Sequence, residues 1–236
     1  FTASVSCKYY LILETKTWTD AQAYCKANHT GLAIIDSNDK MIQLQNEAQR
    51  QQFRSSAWIG LYNDVNSWRW TIGNELLGTL NKWGLGEPNN YNGNQECGAI
   101  HYVGLLDRAC KETLYFICFD GRNLANYSYV FVSNVKTWYD AQSYCRLHHT
   151  ELASTRNASE YTTVYNIVTS STKNMTWIGL FRDSWKWTDH TNFSSISWMN
   201  GYPLNILRNE NCGYLNNTKV SDAQCSDLMS FYCYTG

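Results

Sequence analysis

Two consecutive copies of one module, each mixing two helices with short strands and stapled by cysteines, are what this sequence predicts. Three observations lead there. Lys16-Thr17-Trp18-Thr19-Asp20-Ala21-Gln22-Ala23-Tyr24-Cys25 recurs 120 residues later as Lys136-Thr137-Trp138-Tyr139-Asp140-Ala141-Gln142-Ser143-Tyr144-Cys145, with eight of ten positions identical. Trp58-Ile59-Gly60-Leu61 and Ser67-Trp68-Arg69-Trp70 recur as Trp177-Ile178-Gly179-Leu180 and Ser184-Trp185-Lys186-Trp187. Cys97, Cys110 and Cys118 recur as Cys212, Cys225 and Cys233, each 115 residues on. The unit is far longer than a solenoid repeat, so each copy is expected to bury its own core. A chain of 236 residues supplies two domains of ordinary size.

In each copy the aromatic and aliphatic run comes first, at Lys8–Leu13 and Ser128–Ser133, and reads as a strand. Thr17 is then a natural N-cap with Asp20 in the first turn, and Trp18, Ala21 and Cys25 form one helical stripe. The pattern repeats from Thr137. A second helix is expected from Ser37, with Met41, Leu44 and Ala48 on one face. Its counterpart starts at Asn157, with Glu160 completing a capping pair and Tyr161, Val164, Tyr165 and Val168 as the apolar face. Trp58–Leu61 and Trp177–Leu180 read as short buried strands. The Gly- and Asn-rich stretch from Thr71 to Gln95 reads as a long loop, and such loops are usually functional. Residues 119–126 (FDGRNLAN) read as the link. The expected division is a first domain at 1–119, a linker at 120–126 short enough to hold the domains near one another, and a second domain at 127–236.

A formal net charge of −1, with 17% charged residues and no basic run, gives a nucleic-acid or anionic-membrane partner no electrostatic support. No apolar run approaches the ~18 residues of a membrane span. Nine cysteines at repeated spacings fit a disulfide framework. Six N-x-Ser/Thr sequons stand at Asn28, Asn126, Asn157, Asn174, Asn192 and Asn216. Together these predict a secreted, extracellular glycoprotein, and a start at Phe1 without Met agrees with a removed leader. The ten Trp and seventeen Tyr serve as core, as binding platform or as both, with core the better assignment for the Trp-x-Trp strands. No phosphate loop, HExxH motif or nucleophile elbow is present, so no enzyme is expected. His148-His149 reads as a solvated pair.

The Trp-x-x-Ala-x-x-Tyr-Cys helix, the Trp-Ile-Gly-Leu strand, the Trp-x-Trp strand and the four-cysteine frame, in the same order twice, resemble the C-type lectin-like domain in tandem. The resemblance covers nearly the whole chain. It implies an α+β fold with two helices, small antiparallel sheets and a long loop region per copy. It also implies the pairs Cys25–Cys118, Cys97–Cys110, Cys145–Cys233 and Cys212–Cys225; spacing alone leaves three pairings open per copy. In sugar-binding members of the family, Ca²⁺ sits in the long loop and a pyranose diol completes its shell of hard oxygens. The mannose-type Glu-Pro-Asn motif stands here as Glu87-Pro88-Asn89, and a cis bond at Pro88 would aim both side chains at one ion. Gln95 occupies the place of an acidic ligand, and Leu105-Leu106-Asp107 the place of Trp-Asn-Asp. The first-domain calcium and sugar candidates are therefore Glu87, Asn89, Gln95 and Asp107, with Leu106 offering no oxygen. In the second domain Tyr202-Pro203-Leu204 cannot chelate, and Glu210 with Asp222 alone do not make a site, so no cofactor is expected there.

Cys7 is the odd cysteine, with Tyr127 at the matching place, and an intermolecular bridge or a free thiol follows. The resulting expectation is a secreted recognition or assembly protein with degenerate calcium sites. It binds protein partners or itself, as a disulfide-linked or filamentous homo-oligomer. The alternative is a calcium-dependent lectin that binds mannose-type glycans through the first domain.

Overall fold

The computed structural model describes residues 6–80, 82–194 and 196–236. In chain order the elements begin with β1 (Lys8–Lys16), α1 (Trp18–Asn28), β2 (Gly31–Leu32), α2 (Asn38–Arg50) and β3 (Ser56–Asn63). There follow β4 (Arg69–Trp70), β5 (Cys97–His101), β6 (Gly104–Arg108), β7 (Leu114–Asp120), β8 (Ser128–Lys136), α3 (Trp138–His148), β9 (Glu151–Leu152), α4 (Ala158–Ser171) and β10 (Thr176–Phe181). The last four are β11 (Trp185–Trp187), β12 (Cys212–Asn216), β13 (Lys219–Ala223) and β14 (Met229–Thr235).

Local chemistry sets the helices where the sequence places them. Thr17, Ser37, Thr137 and Asn157 each cap a helix, their side-chain oxygens accepting the amide of the residue three positions on. Met41 and Leu44 of α2, and Val164 and Val168 of α4, turn to the core. Tyr161 and Tyr165 stack beside the latter pair, 5.6 Å apart. All four Trp-x-Trp tryptophans are buried, and Trp58, Trp70, Trp177 and Trp187 are the largest fully buried side chains. Burying up to about 200 Å² of each, at ~25 cal/mol per Å², stabilises the fold by at most roughly 5 kcal/mol per ring. Their place is core rather than binding platform.

The division of the chain differs from the expected one. Val65–Asp183 form one compact, contiguous unit; residues up to Asp64 together with Ser184 onward form the other, a split unit. Each holds the first half of one copy and the second half of the other. In the contiguous unit the strand order is β6-β5-β10-β7-β8, with β4 on β10 and β9 on β7. In the split unit it is β1-β14-β3-β12-β13, with β11 on β3 and β2 on β14. The two sheets match in kind: β7 runs parallel to β10 as β14 runs parallel to β3, and all other pairs are antiparallel.

The cysteines follow the exchange. Cys97–Cys110 and Cys212–Cys225 close as the resemblance implied, but the long-range bonds are Cys25–Cys233 and Cys118–Cys145. The expected Cys25–Cys118 and Cys145–Cys233 pairs are corrected: both long-range bonds join one copy to the other. Cross-link entropy does not choose between the two sets, because their summed loop-closure terms differ by only about 0.3 kcal/mol. The segment between β7 and β8 does choose. Residues 121–127 are no domain linker but the turn of a hairpin, with Asp120 facing Ser128 and Cys118 facing Val130. So short a connection delivers β8 antiparallel to β7, leaving β14 for β1. Asp120 fastens the turn, paired with Arg122 and with its Oδ2 3.0 Å from His149 Nδ1. His149 is therefore engaged in the turn rather than freely solvated, and His148 packs against Tyr144 with ring centroids 4.4 Å apart.

Either copy's half can complete the other because the mating surfaces are alike. A Cβ on Gly98 would lie 2.6 Å from Leu180 Cβ, and one on Gly213 would lie 2.8 Å from Leu61 Cβ, so each unit uses the same close glycine–leucine approach. Arg69 Nη2 meets Asp183 Oδ1 at 2.6 Å in the contiguous unit, and Lys186 Nζ meets Asp64 Oδ2 at 3.5 Å in the split unit.

Candidate functional site

The sequence candidates Glu87, Asn89, Gln95 and Asp107 come together in the contiguous unit. Asp107 is the anchor. It sits on β6 opposite Gly98, 1% exposed, and its Oδ1 and Oδ2 accept the amides of Asn89 at 2.9 Å and Asn90 at 2.6 Å. One carboxylate thereby ties the loop backbone to the sheet. Around it the loop closes on itself. Asn89 Nδ2 donates to Glu87 Oε1 at 2.7 Å, and the Tyr91 amide donates to both Asn89 Oδ1 and Gln95 Oε1 at 2.9 Å. The Glu87–Pro88 bond is cis.

Glu87 carries the electrostatic signature. Its Oε2 is buried and has no hydrogen-bond partner. Burial first, then the neighbouring Asp107 carboxyl, pushes the Glu87 carboxyl up to about 7. Two carboxyls in one partly desolvated site repel unless one keeps a proton or a cation arrives. The orphaned Glu87 oxygen, the Asp107 carboxylate and the amide oxygens of Asn89 and Gln95 are hard donors, as a divalent calcium ion requires. Leu106, opposite Ala99, adds none. Among the described residues no three His, Cys, Asp or Glu side chains converge on a metal-sized site. The donor set fits calcium in kind and is poor in charge, the combination that lowers affinity.

Arg182 is a residue of this loop that sequence reasoning missed. It is 4% exposed, and its Nη2 donates to Asn90 Oδ1 at 2.8 Å while its Nη1 donates to the Asp183 carbonyl at 2.9 Å. The guanidinium lies 5.7 Å from the Trp68 ring centroid. Asn90 Oδ1 also accepts the Gln95 amide at 3.2 Å, so Arg182 and Gln95 fix the same corner. The available signal was the second position after each Trp-Ile-Gly-Leu run, Asn63 in one copy and Arg182 in the other. The exchange of halves brings Arg182 to Asn90.

The matching loop of the split unit keeps the scaffold without the donors. Tyr202–Pro203 is cis, and Asp222 accepts the amides of Leu204 at 3.1 Å and Asn205 at 2.8 Å. Asn205 Oδ1 takes the Glu210 amide at 3.0 Å, as Asn90 takes that of Gln95. Glu210 turns back on the loop, Oε2 accepting the Leu207 amide at 3.3 Å. Leu204 stands where Asn89 would, and Ile206 and Leu207 are exposed.

The remaining candidates lie elsewhere. Cys7 is a free thiol, half-buried against the core around Tyr9. Asn28, Asn126, Asn157, Asn174 and Asn192 are exposed and Asn216 is half-buried. Asn157 Oδ1 accepts the Glu160 amide at 2.9 Å as the N-cap of α4. No helix among the described residues is long and apolar enough to cross a membrane.

The family model for the lectin C-type domain matches residues 14–119 and 134–235. The hepatic lectin of Gallus gallus is 32% identical over 113 residues, which cover 47% of this chain and 53% of that protein. A C-type lectin of Cerberus rynchops is 38% identical over 114 residues, covering 42% of this chain and 70% of that protein. The chain spans about half the length of the first curated relatives it matches. Among solved structures, human lithostathine aligns over 99% of this chain and 86% of its own, with 14% identity and a TM-score of 0.44.

Proposed function

Because the chain belongs to the C-type lectin family, we propose that it is a non-enzymatic, extracellular recognition protein that binds saccharide weakly, with calcium, through the loop at residues 84–96. The observation that carries this reading is Glu87 Oε2, buried without a donor beside Asp107. Glu87, Asn89, Gln95 and Asp107 would hold the ion, whose bound form offers open coordination positions to a vicinal diol. Glu87 and Asn89 would serve the same hydroxyls as acceptor and donor, and the Asp107 clasp keeps the loop backbone in place. The low charge of the set argues for millimolar affinity or weaker. Calorimetric titration with Ca²⁺, paired with passage over a mannose matrix in millimolar calcium, tests this. Retardation released by chelator supports it. Passage unchanged by calcium, with no heat of binding, overturns it.

A second reading concerns the split unit. Ile206 and Leu207 project from its loop at 70% and 58% exposure, where the other loop has the exposed Tyr91 and Asn92. Apolar side chains at a loop tip suit a protein partner, another copy of this chain included. Pairing through Cys7 would be a separate, covalent route to self-association, and a reducing-agent-sensitive dimer on sedimentation would support it.

A further inference from the structure

A cleft of about 890 Å³ opens in the split unit between the C-terminal part of α2 and the turn joining β12 to β13. Amides dominate its polar walls, Gln45, Gln49 and Gln52 from the helix side and Asn216 and Asn217 from the turn, with Arg54 and Ser55 beside them. Phe53 and the nearly buried Tyr232 add apolar surface. Amides that both donate and accept, set beside aromatic carbon, suit a saccharide, whose hydroxyl and acetamide groups need partners and whose C–H faces lie on rings. The volume falls in the range of about 300–1,000 Å³ that holds a small ligand.

Asn216 is also the acceptor of an N-x-Thr sequon, Asn216-Asn217-Thr218. It is half-buried, with Nδ2 donating to Ser56 Oγ at 3.3 Å. Attachment forms a bond between that nitrogen and the anomeric carbon of the first sugar. The nitrogen loses one proton, and the lipid carrier's diphosphate leaves. The linked amide keeps one N–H, so the Ser56 contact survives. A glycan tethered at the cleft is present at an effective concentration of order millimolar, which makes weak polar contacts sufficient. Asn28, Asn126, Asn157, Asn174 and Asn192 are exposed and do not line this cleft.

We propose that the N-linked glycan of Asn216 folds back into this cleft, so that its first sugars pack as part of the split unit. The proposal rests on the extracellular reading. Its test uses the full chain secreted from glycosylating cells, with glycopeptide mapping of every sequon and amide hydrogen exchange across residues 45–55. Thr218→Ala, which removes the sequon, should speed exchange there about fivefold. Thr218→Ser, which keeps the sequon, should match the unaltered chain. Trimming the folded protein to the first sugar should leave exchange slower than in Thr218→Ala. If Asn216 carries glycan and Thr218→Ala leaves exchange unchanged, the proposal is overturned. It is overturned equally if Asn216 is bare while the exposed sequons are occupied. If all six sequons are bare, the extracellular reading falls with it.

Discussion

Asp107 and Asp222 hold their loops in the same way, each accepting two successive backbone amides after a cis X–Pro bond. What the loops then carry differs. The contiguous unit has Glu87, Asn89 and the buried Gln95, backed by the buried Arg182, with Tyr91 exposed beside them. The split unit offers Tyr202, Leu204 and exposed Ile206 and Leu207, and its Glu210 is bound to its own backbone. The clasp is shared and the ligand chemistry is not. An aspartate on the sheet ties each loop down, and side chains that differ between the loops decide what each can bind, Asn89 and Gln95 also bracing the loop they belong to.

The comparison can be broken at its covalent base. Cys118→Ser with Cys145→Ser should destabilise the contiguous unit by about 2–5 kcal/mol, and Cys25→Ser with Cys233→Ser the split unit by a similar amount. Differential scanning calorimetry reads both, and non-reducing peptide maps should recover Cys25 linked to Cys233. Maps with Cys25 linked to Cys118 would refute the exchange. Next comes the clasp. Asp107→Ala and Asp222→Ala each orphan two amides, so each should cost about 2–4 kcal/mol by chemical denaturation. Unequal losses would show that the loops are not held alike. Arg182→Met should then cost about 1.5–3 kcal/mol, the worth of a hydrogen bond to a charged group, and should speed amide exchange at residues 89–95. A loop left unchanged would mean that Asp107 suffices alone.

Smaller effects sharpen the difference in chemistry. Leu106→Asn with Gln95→Glu should tighten Ca²⁺ binding tenfold or more, about 1.4 kcal/mol or above, by calorimetry. Leu204→Asn in the split unit should yield no binding. The mildest test is pH. Glu87 binds its proton more tightly folded than unfolded, so the calcium-free protein gains stability as pH falls through about 7 and loses that contribution as pH rises again. Protons and Ca²⁺ compete for the same carboxylate, so calcium affinity should move the other way, weakening below about 7. Thermal melts and titrations of Glu87→Gln should show neither trend.

Much of this was legible in residues whose reasons are local. Thr17, Ser37, Thr137 and Asn157 cap helices whatever they pack against, and an apolar stripe such as Val164 and Val168 needs only a core, not a particular one. Glu87, Asn89, Gln95 and Asp107 were legible as a group because they lie within one half-module. The pairing of halves was not legible, because Leu61 and Leu180 are equally good partners for Gly98 or Gly213, and Asp64 and Asp183 for Arg69 or Lys186. A duplicated sequence specifies the kind of contact and leaves open which copy makes it. The choice lay in residues 121–127, whose length reads as a link until their strands are seen to pair. Arg182 was hidden for the same reason.

The bond between Cys25 and Cys233 also poses a problem of timing. On a growing chain Cys118 emerges before Cys145 by roughly one to five seconds, at about 5–20 residues per second. During that interval Cys25 is already made, and a bond to it is the pairing a lone first copy would adopt. Cys118 must therefore stay reduced until Cys145 arrives, or form a bond that the Cys145 thiolate displaces by exchange. Meanwhile β1, α1 and β3 wait with their core faces unmatched until Ser184 and the residues beyond it are made. β1 and α1 are made before the contiguous unit yet belong to the unit that closes after it, so a maturing molecule must shelter half a domain while another is completed.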